Sequence, residues 1–361
     1  MNKLDQARKK INEIDSKMAE LFLERMGAAE MVAEYKKEHG LPVLDSAREQ
    51  VVIATNSERI ENDELRGYYS DFLRSVMGIS RRYQQKLLTG VKIAYSGTVG
   101  AFAHIASCKL FPDAEKLPCP NFQSAYKAVE SGECDACVLP IENSYAGDVG
   151  QVADLIFSGS LYINGMTKIP IIHDLLAVSG ADTQTIKTVV SHPQALSQCD
   201  TFIKEKGYKT VSFENTALAA KFVLEQNDPT IGAIASAESA KIFSLNILER
   251  HINDSNLNAT RFAVLSKAEN RVTAKESGTH FVLMFTVRNE AGSLVKALEI
   301  IAQHDFNMLA LRSRPMKELL WQYYFFVECE GNVHSESGKE MITELKDYCD
   351  KLKIAGSFKE D

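Results

Sequence analysis

The feature that most restricts the fold of this chain is a heptad spacing of apolar residues that extends from Leu4 to Tyr35 without a proline. The spacing predicts one helix of more than thirty residues, and such a stripe is stable only when it packs along another helix. The sequence Gly40-Leu41-Pro42 ends this helix, and two shorter helical stretches follow before Gly90. Residues 1–90 are therefore predicted to form an all-α bundle.

The pattern changes twice after this bundle. Residues 91–267 alternate short β-rich runs with helical stretches, which predicts an α/β domain with a mainly parallel sheet. The polar run SKAENRVTAKESG then predicts a linker. Residues 279–361 follow the order βαββαβ, which is the ferredoxin-like arrangement. Because 361 residues exceed the size at which one core stops growing, two or three domains are expected, and these three segments supply them.

The composition of the chain excludes only a few classes of function. A formal net charge of -7 argues against a nucleic-acid partner, and no apolar run approaches the ~18 residues of a membrane span. The charged start lacks the apolar segment of a signal peptide, so a cytoplasmic location is expected. Cys134 and Cys137 form a CxxC that could serve redox or metal chemistry, but no second ligand pair completes a zinc set. We therefore interpret this pair as structural and expect neither a metal nor a cofactor.

Charged residues interrupt the helical bundle where apolar ones are expected. The heptad that starts at Leu4 places Arg25 among the apolar residues that face a second helix. Burying its guanidinium there is costly unless an anion binds it. Lys36 lies three turns later on nearly the same face, and Ser80 and Gln84 share one face of the third helix. Each charge alone is explained by a snorkelling or solvated side chain. Together they predict a polar cavity for a small polyanion.

Arg8 lies seventeen residues before Arg25 and about 100° away from it around the helix axis. It cannot easily serve the same pocket in its own chain, although it could serve the pocket of a second chain. We therefore expect at least a homodimer.

With this pattern, residues 1–90 resemble the all-helical chorismate mutase domain. The resemblance implies that the carboxylates of chorismate are bound by Arg25 and by Arg8 of the other subunit, and that its ether oxygen is bound by Lys36 and Gln84. It also implies that Asp45 and Glu49 lie near the ring hydroxyl, and that Arg48 and Ser80 form the remaining wall of the pocket. A pericyclic rearrangement needs no nucleophile, only a folded substrate and donors aimed at the oxygen that gains negative charge. Lys36 and Gln84 are accordingly the predicted catalytic residues.

Polar residues follow several probable strands of the middle segment, in the runs YSGTVGAFAH, LPIENSYAG, VVSHPQALSQC and NTALAA. Helix capping explains any one of these runs alone. Several of them at a common sheet edge would instead form a hydrogen-bonding cleft. The run NATRFAVL is more specific, because it places Thr260 and Arg261 at the start of a strand, where capping does not apply.

Together these runs resemble prephenate dehydratase, whose fold has two α/β lobes like those of a periplasmic binding protein. The motifs TRF, ENS and SHPQA are present, whereas Thr98, Ala101 and Ala103 depart from the family's glycine loop. The resemblance implies that prephenate is contacted by Asn143, Ser144, Ser191, His192, Thr216, Thr260 and Arg261. Thr260 is the predicted proton donor or relay for the leaving hydroxyl. Arg261 either pairs with a carboxylate or braces the loop.

The C-terminal segment resembles the ACT regulatory domain, in which two motifs form a phenylalanine site at a dimer interface. The first motif is present as Gly292-Ser293-Leu294-Val295. The second, normally Glu-Ser-Arg-Pro, reads Arg312-Ser313-Arg314-Pro315 and so reverses a charge. Either the effector site is rebuilt around Arg312, or inhibition by phenylalanine is weakened, or residue 312 is a solvated strand position.

The whole chain therefore resembles the bifunctional chorismate mutase–prephenate dehydratases of phenylalanine biosynthesis, with L-phenylalanine as the expected effector. Two other classes of protein are alternatives. A ligand sensor without catalysis would not need Lys36 or Thr260. A mutase fused to prephenate dehydrogenase would need a dinucleotide fingerprint, which the Tyr95–His104 run does not supply.

Overall fold

The computed structural model describes residues 2–255, 257–271, 278–316 and 322–359. The chain forms two compact units, residues 1–92 and 93–361. None of the helices in the described ranges combines the length and the apolar character that a membrane crossing requires.

The first unit consists of the helices α1 Lys3–His39, α2 Ser46–Ser57 and α3 Asp63–Thr89. Asn2 caps the start of α1, and Gly40 ends it in a left-handed conformation. The predicted long helix is therefore present, and it packs on α3.

The packing of α1 is uneven along its length. Within the described part of this unit, the buried apolar side chains are those of Met26, Ala29, Ala33 and Met77. By contrast, the apolar stripe in the first half of α1 is exposed, with 55% exposure at Ile11. A unit of this size needs a larger apolar core to be stable alone.

The second unit contains two sheets. Its strands are β1 Lys92–Ser96, β2 Glu115–Cys119, β3 Ala136–Asn143, β4 Gly147–Asp148, β5 Tyr162–Pro170, β6 Asp174–Ala177, β7 Thr188–Ser191, β8 Lys209–Ser212, β9 Ile231–Ala235, β10 Asn246–Glu249, β11 Ala259–Ser266, β12 His280–Val287, β13 Met308–Pro315, β14 Tyr323–Glu330 and β15 Cys349–Phe358. Its helices are α4 Phe102–Leu110, α5 Phe122–Ser131, α6 Gly150–Ser158, α7 Pro193–Gln198, α8 Asp200–Lys206, α9 Thr216–Gln226, α10 Ala237–Phe243, α11 Ser293–Gln303 and α12 Glu336–Tyr348.

The middle segment is divided between the two sheets, so it has two α/β lobes. The first lobe holds β1 to β5, the chain then builds the second lobe with β6 to β10, and β11 returns to the first lobe between β3 and β5. The predicted two-lobed fold is therefore present, but the prediction of a mainly parallel sheet is wrong, because both sheets mix parallel and antiparallel pairs. Strand β11 runs antiparallel to both neighbours, because it re-enters the first lobe from the opposite side.

The C-terminal segment has the predicted ferredoxin-like order, since its strands lie side by side as β13-β14-β12-β15 and pair antiparallel. Its sheet continues into the first lobe where Gly356 of β15 pairs with Ile163 of β5. A Cβ atom at Gly356 would lie 2.1 Å from the Ile163 carbonyl oxygen, and φ there is 145°. Only glycine fits this junction.

The predicted linker is held in place at its start. Asn164 binds the backbone carbonyl of Ala268 and the backbone N–H of Asn270, and Glu269 pairs with His334 at 2.7 Å. The later part of the predicted linker, residues 272–277, lies outside the described residues.

Candidate active sites

In the helical unit, three of the predicted polar residues come together where α1 crosses α3. The Arg25 guanidinium contacts the Ser80 hydroxyl and lies 3.5 Å from the Val76 carbonyl oxygen. Ser80 and Gln84, one turn apart on α3, are both buried. The buried Oε1 atom of Gln84 has no hydrogen-bond partner among the described residues. This face therefore presents a guanidinium, a hydroxyl and an unmatched amide.

The other predicted contacts of this unit lie around the start of α2. Lys36 donates to the backbone carbonyl of Val43, just after α1 ends. Asp45 caps α2 by accepting the N–H of Arg48 at 2.9 Å, while the Arg48 side chain is exposed. Glu49 forms an ion pair with Arg81 of α3. Arg81 was not predicted from the sequence, although its place next to Ser80 on a polar helix face was a usable signal.

Arg8 is exposed near the start of α1. It lies about 25 Å from Arg25 along the helix axis, given a rise of ~1.5 Å per residue. In a single chain the two residues therefore cannot contact one small ligand.

In the second unit, a cavity of about 230 Å³ has walls from both lobes. Among the predicted prephenate contacts, Asn143, His192, Thr216 and Thr260 line it. Lining residues that the sequence analysis did not select include Phe102, His173, Gln194, Gln198, Asn215 and Phe262. Aromatic, amide and imidazole groups therefore surround the predicted Thr260.

The register of two antiparallel strands brings Thr260 and Asn143 together. Thr260 near the start of β11 lies directly opposite Asn143 at the end of β3. Asn143 Nδ2 donates to Thr260 Oγ1 at 2.9 Å, while Asn143 Oδ1 accepts the backbone N–H groups of Tyr145 and Ala146. Because Thr260 accepts from Asn143, its own hydroxyl proton is available to a ligand in the cavity.

Helix starts supply two further residues of the wall. His192 caps α7, and its Nδ1 atom accepts the N–H of Gln194 at 3.2 Å. Thr216 is the first residue of α9, which Asn215 caps. Helix capping explains the local conformation of both residues, which is one of the two interpretations of the sequence. Both side chains also line the cavity.

Three residues that were predicted to contact prephenate do not line the cavity. Ser144 donates to the carbonyl of Leu257, and Ser191 is fully buried against the carbonyl of Ile234. Arg261 follows Thr260 in β11, so its side chain points to the opposite face of the sheet. These residues brace the ends of the strands.

Arg261 and Arg312 belong to a group that we call the ion cluster, formed by Glu142, Asp148, Arg261, Arg312 and Glu328. Arg261 binds the buried Glu328 through two nitrogens, at 2.9 and 2.8 Å, and lies 3.3 Å from Glu142. Arg312 pairs with Glu142 at 2.7 Å and with Asp148 at 2.6 Å. Arg261 therefore pairs with carboxylates of the protein, which favours the alternative that it braces the loop.

Electrostatics within the ion cluster favour the ionised form of Glu328. Burial alone would raise the pKa of Glu328, but hydrogen bonds and charge from Arg261, aided by His280, lower it below its ordinary value. Of the alternatives for Arg312, a solvated strand position is wrong, because the guanidinium is held by two carboxylates and lies over the Phe326 ring.

The most buried of the unpredicted polar residues in this wall is His173, which precedes β6 and is 2% exposed. Its Nε2 atom lies 3.2 Å from Gln198 Oε1, and its ring meets Phe102 edge to face. Burial lowers the pKa of His173 to about 4, so the imidazole is neutral at physiological pH. The available signal was the polar pair His173-Asp174 inside the apolar run IPIIHDLLAV.

The two predicted effector motifs occupy different parts of the C-terminal segment. Gly292 caps α11, Ser293 begins it, and Val295 is exposed, while Leu294 lines a second cavity of about 340 Å³. This cavity is also lined by Arg288, Glu290, Tyr323, Phe325 and Asp350.

Strand β13 turns the residues of the second motif to alternate faces. Ser313 and Pro315 lie opposite Phe325 and Tyr323, so they share the face of the second cavity. Arg312 and Arg314 point to the other face, where Arg314 lies 3.5 Å from Asp154. The charge reversal at residue 312 therefore falls on the side of the first lobe.

No cluster of side chains suited to a metal ion occurs in the described ranges.

Family models match the chain twice: chorismate mutase type II over residues 7–85 and prephenate dehydratase over residues 93–270. The bifunctional chorismate mutase/prephenate dehydratase of Aquifex aeolicus is 31% identical over 369 residues, covering 99% of this chain and 98% of that protein.

Two solved structures are similar to the second unit. A prephenate dehydratase from Arthrobacter aurescens in complex with L-Phe has a TM-score of 0.69 at 27% identity, covering 74% of this chain and 90% of that one. GqqA, described as a novel type of quorum quenching acylase, has a TM-score of 0.70 at 30% identity, covering 75% and 98%. From the two family models and the full-length match, the chain belongs to the bifunctional chorismate mutase/prephenate dehydratase family.

Proposed function

We propose that this chain carries out two consecutive steps of phenylalanine biosynthesis. The helical unit rearranges chorismate to prephenate, and the two-lobed cleft converts prephenate to phenylpyruvate. The single observation that carries the proposal is the Asn143–Thr260 pair, which presents a hydroxyl donor to the cavity of about 230 Å³ between the two lobes. The sensor and dehydrogenase alternatives lose support, because the middle segment matches a dehydratase model.

In the mutase step the residues hold and polarise chorismate rather than attack it. Arg25 takes one carboxylate, while Lys36 and Gln84 donate to the ether oxygen as its C–O bond breaks. Asp45, Arg48, Glu49 and Ser80 complete the wall, and Arg81 holds Glu49 in position. The second carboxylate is bound by Arg8 of another copy of the chain.

The proposed homodimer rests on the uneven packing of α1. Its exposed stripe includes Leu4, Ile11, Ile14, Met18 and Leu21, and the buried core of residues 2–92 is small. A second copy presents an identical stripe, so the two α1 helices can bury each other. The same arrangement brings Arg8 of one chain toward the pocket of the other.

In the dehydratase step, Thr260 donates a proton to the ring hydroxyl of prephenate. The C–O bond breaks and the oxygen leaves as water. The C–C bond to the ring carboxylate also breaks, its electron pair completes the aromatic ring, and carbon dioxide leaves. One proton is consumed overall, and it reaches the leaving oxygen through Thr260. The apolar wall of Phe102 and Phe262 limits water around the departing carboxylate.

L-Phenylalanine is the proposed effector, bound in the second cavity. Arg288 offers a cation for its carboxylate, Glu290 and Asp350 offer anions for its ammonium, and Leu294 and Phe325 offer apolar contact for its ring. Arg312 takes no part in this proposed site, because its partners lie in the first lobe.

Replacing Lys36 with alanine is expected to reduce chorismate mutase turnover by about one hundredfold or more, because a donor to the developing negative charge is lost. Prephenate formation from chorismate measures this loss. Lys37→Ala, an exposed neighbour on the same helix, serves as the control and is expected to leave turnover unchanged. Near-normal turnover in the Lys36 variant would remove Lys36 from the mechanism.

Thr260→Ala is expected to lower kcat for phenylpyruvate formation by about one hundredfold or more, while Thr260→Ser stays within about tenfold of the wild type. The serine variant keeps the hydroxyl that donates to the leaving group. Mutase turnover of the same preparations reports on the integrity of the other unit. A threonine-to-alanine enzyme that works at the wild-type rate would contradict the assignment.

The combined change Ile11→Glu and Met18→Glu is expected to convert the dimer to a monomer and to abolish mutase turnover, because carboxylates in the stripe oppose burial against a second copy. Light scattering after size-exclusion chromatography gives the mass. The control Lys9→Glu adds negative charge on the opposite face of α1 and is expected to remain dimeric. A double variant that keeps its dimer mass would contradict this interface.

L-Phenylalanine is expected to lower the dehydratase rate in a saturable manner, and Arg288→Met should raise the half-inhibitory concentration roughly tenfold or more by removing a charge-assisted contact. Rates without phenylalanine should not change. Lys296→Met, an exposed cation on α11, is the matched control. A flat titration of the wild type would refute regulation, whereas an unchanged Arg288 variant would refute this site.

A further inference from the structure

His173 is a buried imidazole in the wall of the dehydratase cavity, and the mechanism above gives it no role. It directly precedes β6 of the second lobe, whereas Thr260 lies on β11 of the first lobe. The two residues therefore approach the cavity from opposite walls.

The contact with Gln198 defines which nitrogen of His173 carries the proton. Gln198 Oε1 lies 3.2 Å from Nε2, and an amide oxygen can only accept. The proton of the neutral ring is therefore on Nε2, and Nδ1 is an acceptor. Nδ1 is buried and has no hydrogen-bond partner among the described residues, and the same is true of the Gln198 Nε2 donor. Such unmatched groups cost free energy unless a ligand satisfies them.

The chemistry of prephenate restricts what can satisfy Nδ1. Its two carboxylates and its ketone are acceptors only, so the ring hydroxyl is its one hydrogen-bond donor. Resting on the proposed function, we infer that His173 Nδ1 accepts a hydrogen bond from the ring hydroxyl of prephenate and orients it. The hydroxyl oxygen then keeps a lone pair for the proton that Thr260 donates.

This arrangement makes the cleft selective for substrate over product. Phenylpyruvate has lost the ring hydroxyl, so it cannot satisfy Nδ1. The hydrogen bond to His173 is therefore made by prephenate and lost when water departs. No proton passes to His173, which stays neutral because burial lowers its pKa, with Asp174 and His192 as its ionisable neighbours.

The test compares two substitutions of His173 in the full-length chain. His173→Phe removes the acceptor and keeps an apolar ring, while His173→Asn keeps an oxygen near the position of Nδ1. We expect the phenylalanine variant to lose roughly ten- to one-hundredfold in kcat/KM for prephenate, and the asparagine variant to recover most of it. Competitive inhibition by phenylpyruvate should change less than about twofold in both variants, and mutase turnover should not change.

Three results would overturn the inference. The first is an unchanged kcat/KM in the phenylalanine variant. The second is an equal loss in both variants, which means that His173 only fills space. The third is an inhibition constant for phenylpyruvate that weakens as much as the KM for prephenate rises. A wild-type chain that forms no phenylpyruvate would instead refute the proposed function itself.

Discussion

The pairing of Arg261 with the buried carboxylate of Glu328 determines how the dehydratase cleft is built. Successive side chains of a strand point to opposite faces, so once Arg261 is held on the outer face of the sheet, Thr260 must point into the cavity. Removing one partner of such a pair leaves an uncompensated buried charge, which is strongly unfavourable. The ion pair therefore stabilises the one strand register that also joins Thr260 to Asn143.

The ion cluster also explains why an arginine is favourable at position 312. A glutamate at position 312 would lie beside Glu142 and Asp148 and repel both. Arginine instead neutralises them and joins β13 to the end of β3. Because Asn143 follows Glu142 and Thr260 precedes Arg261, the C-terminal segment is linked to two residues of the cleft through the residues next to them. The charge reversal is therefore a change in how two parts of the chain are joined.

Local pattern predicted the helices of the first unit and most strands of the second, because periodicity and caps are encoded by neighbouring residues. The resemblance to prephenate dehydratase also selected Thr260, Asn143, His192 and Thr216, which do line one cavity. The sequence pattern did not predict that the side chains of Ser144 and Arg261 face away from the cavity, because a motif does not specify the face on which each of its residues lies. It missed His173 and Gln198 because they meet only in the folded chain. The sequence pattern also did not predict the direction of β11, because this direction depends on the chain crossing twice between the lobes.

The close contact at Gly356 has a consequence for the evolution and engineering of this protein. Because β15 and β5 share one continuous sheet, the C-terminal segment is not an interchangeable module joined by a flexible tether. Deleting it would expose the edge of β5 and the charge of Arg261 at once, and bare strand edges recruit other chains. Grafting a foreign sensor at this point would require a glycine at the same crossing. A shortened dehydratase would need a new cover for that edge and a new anion for Arg261.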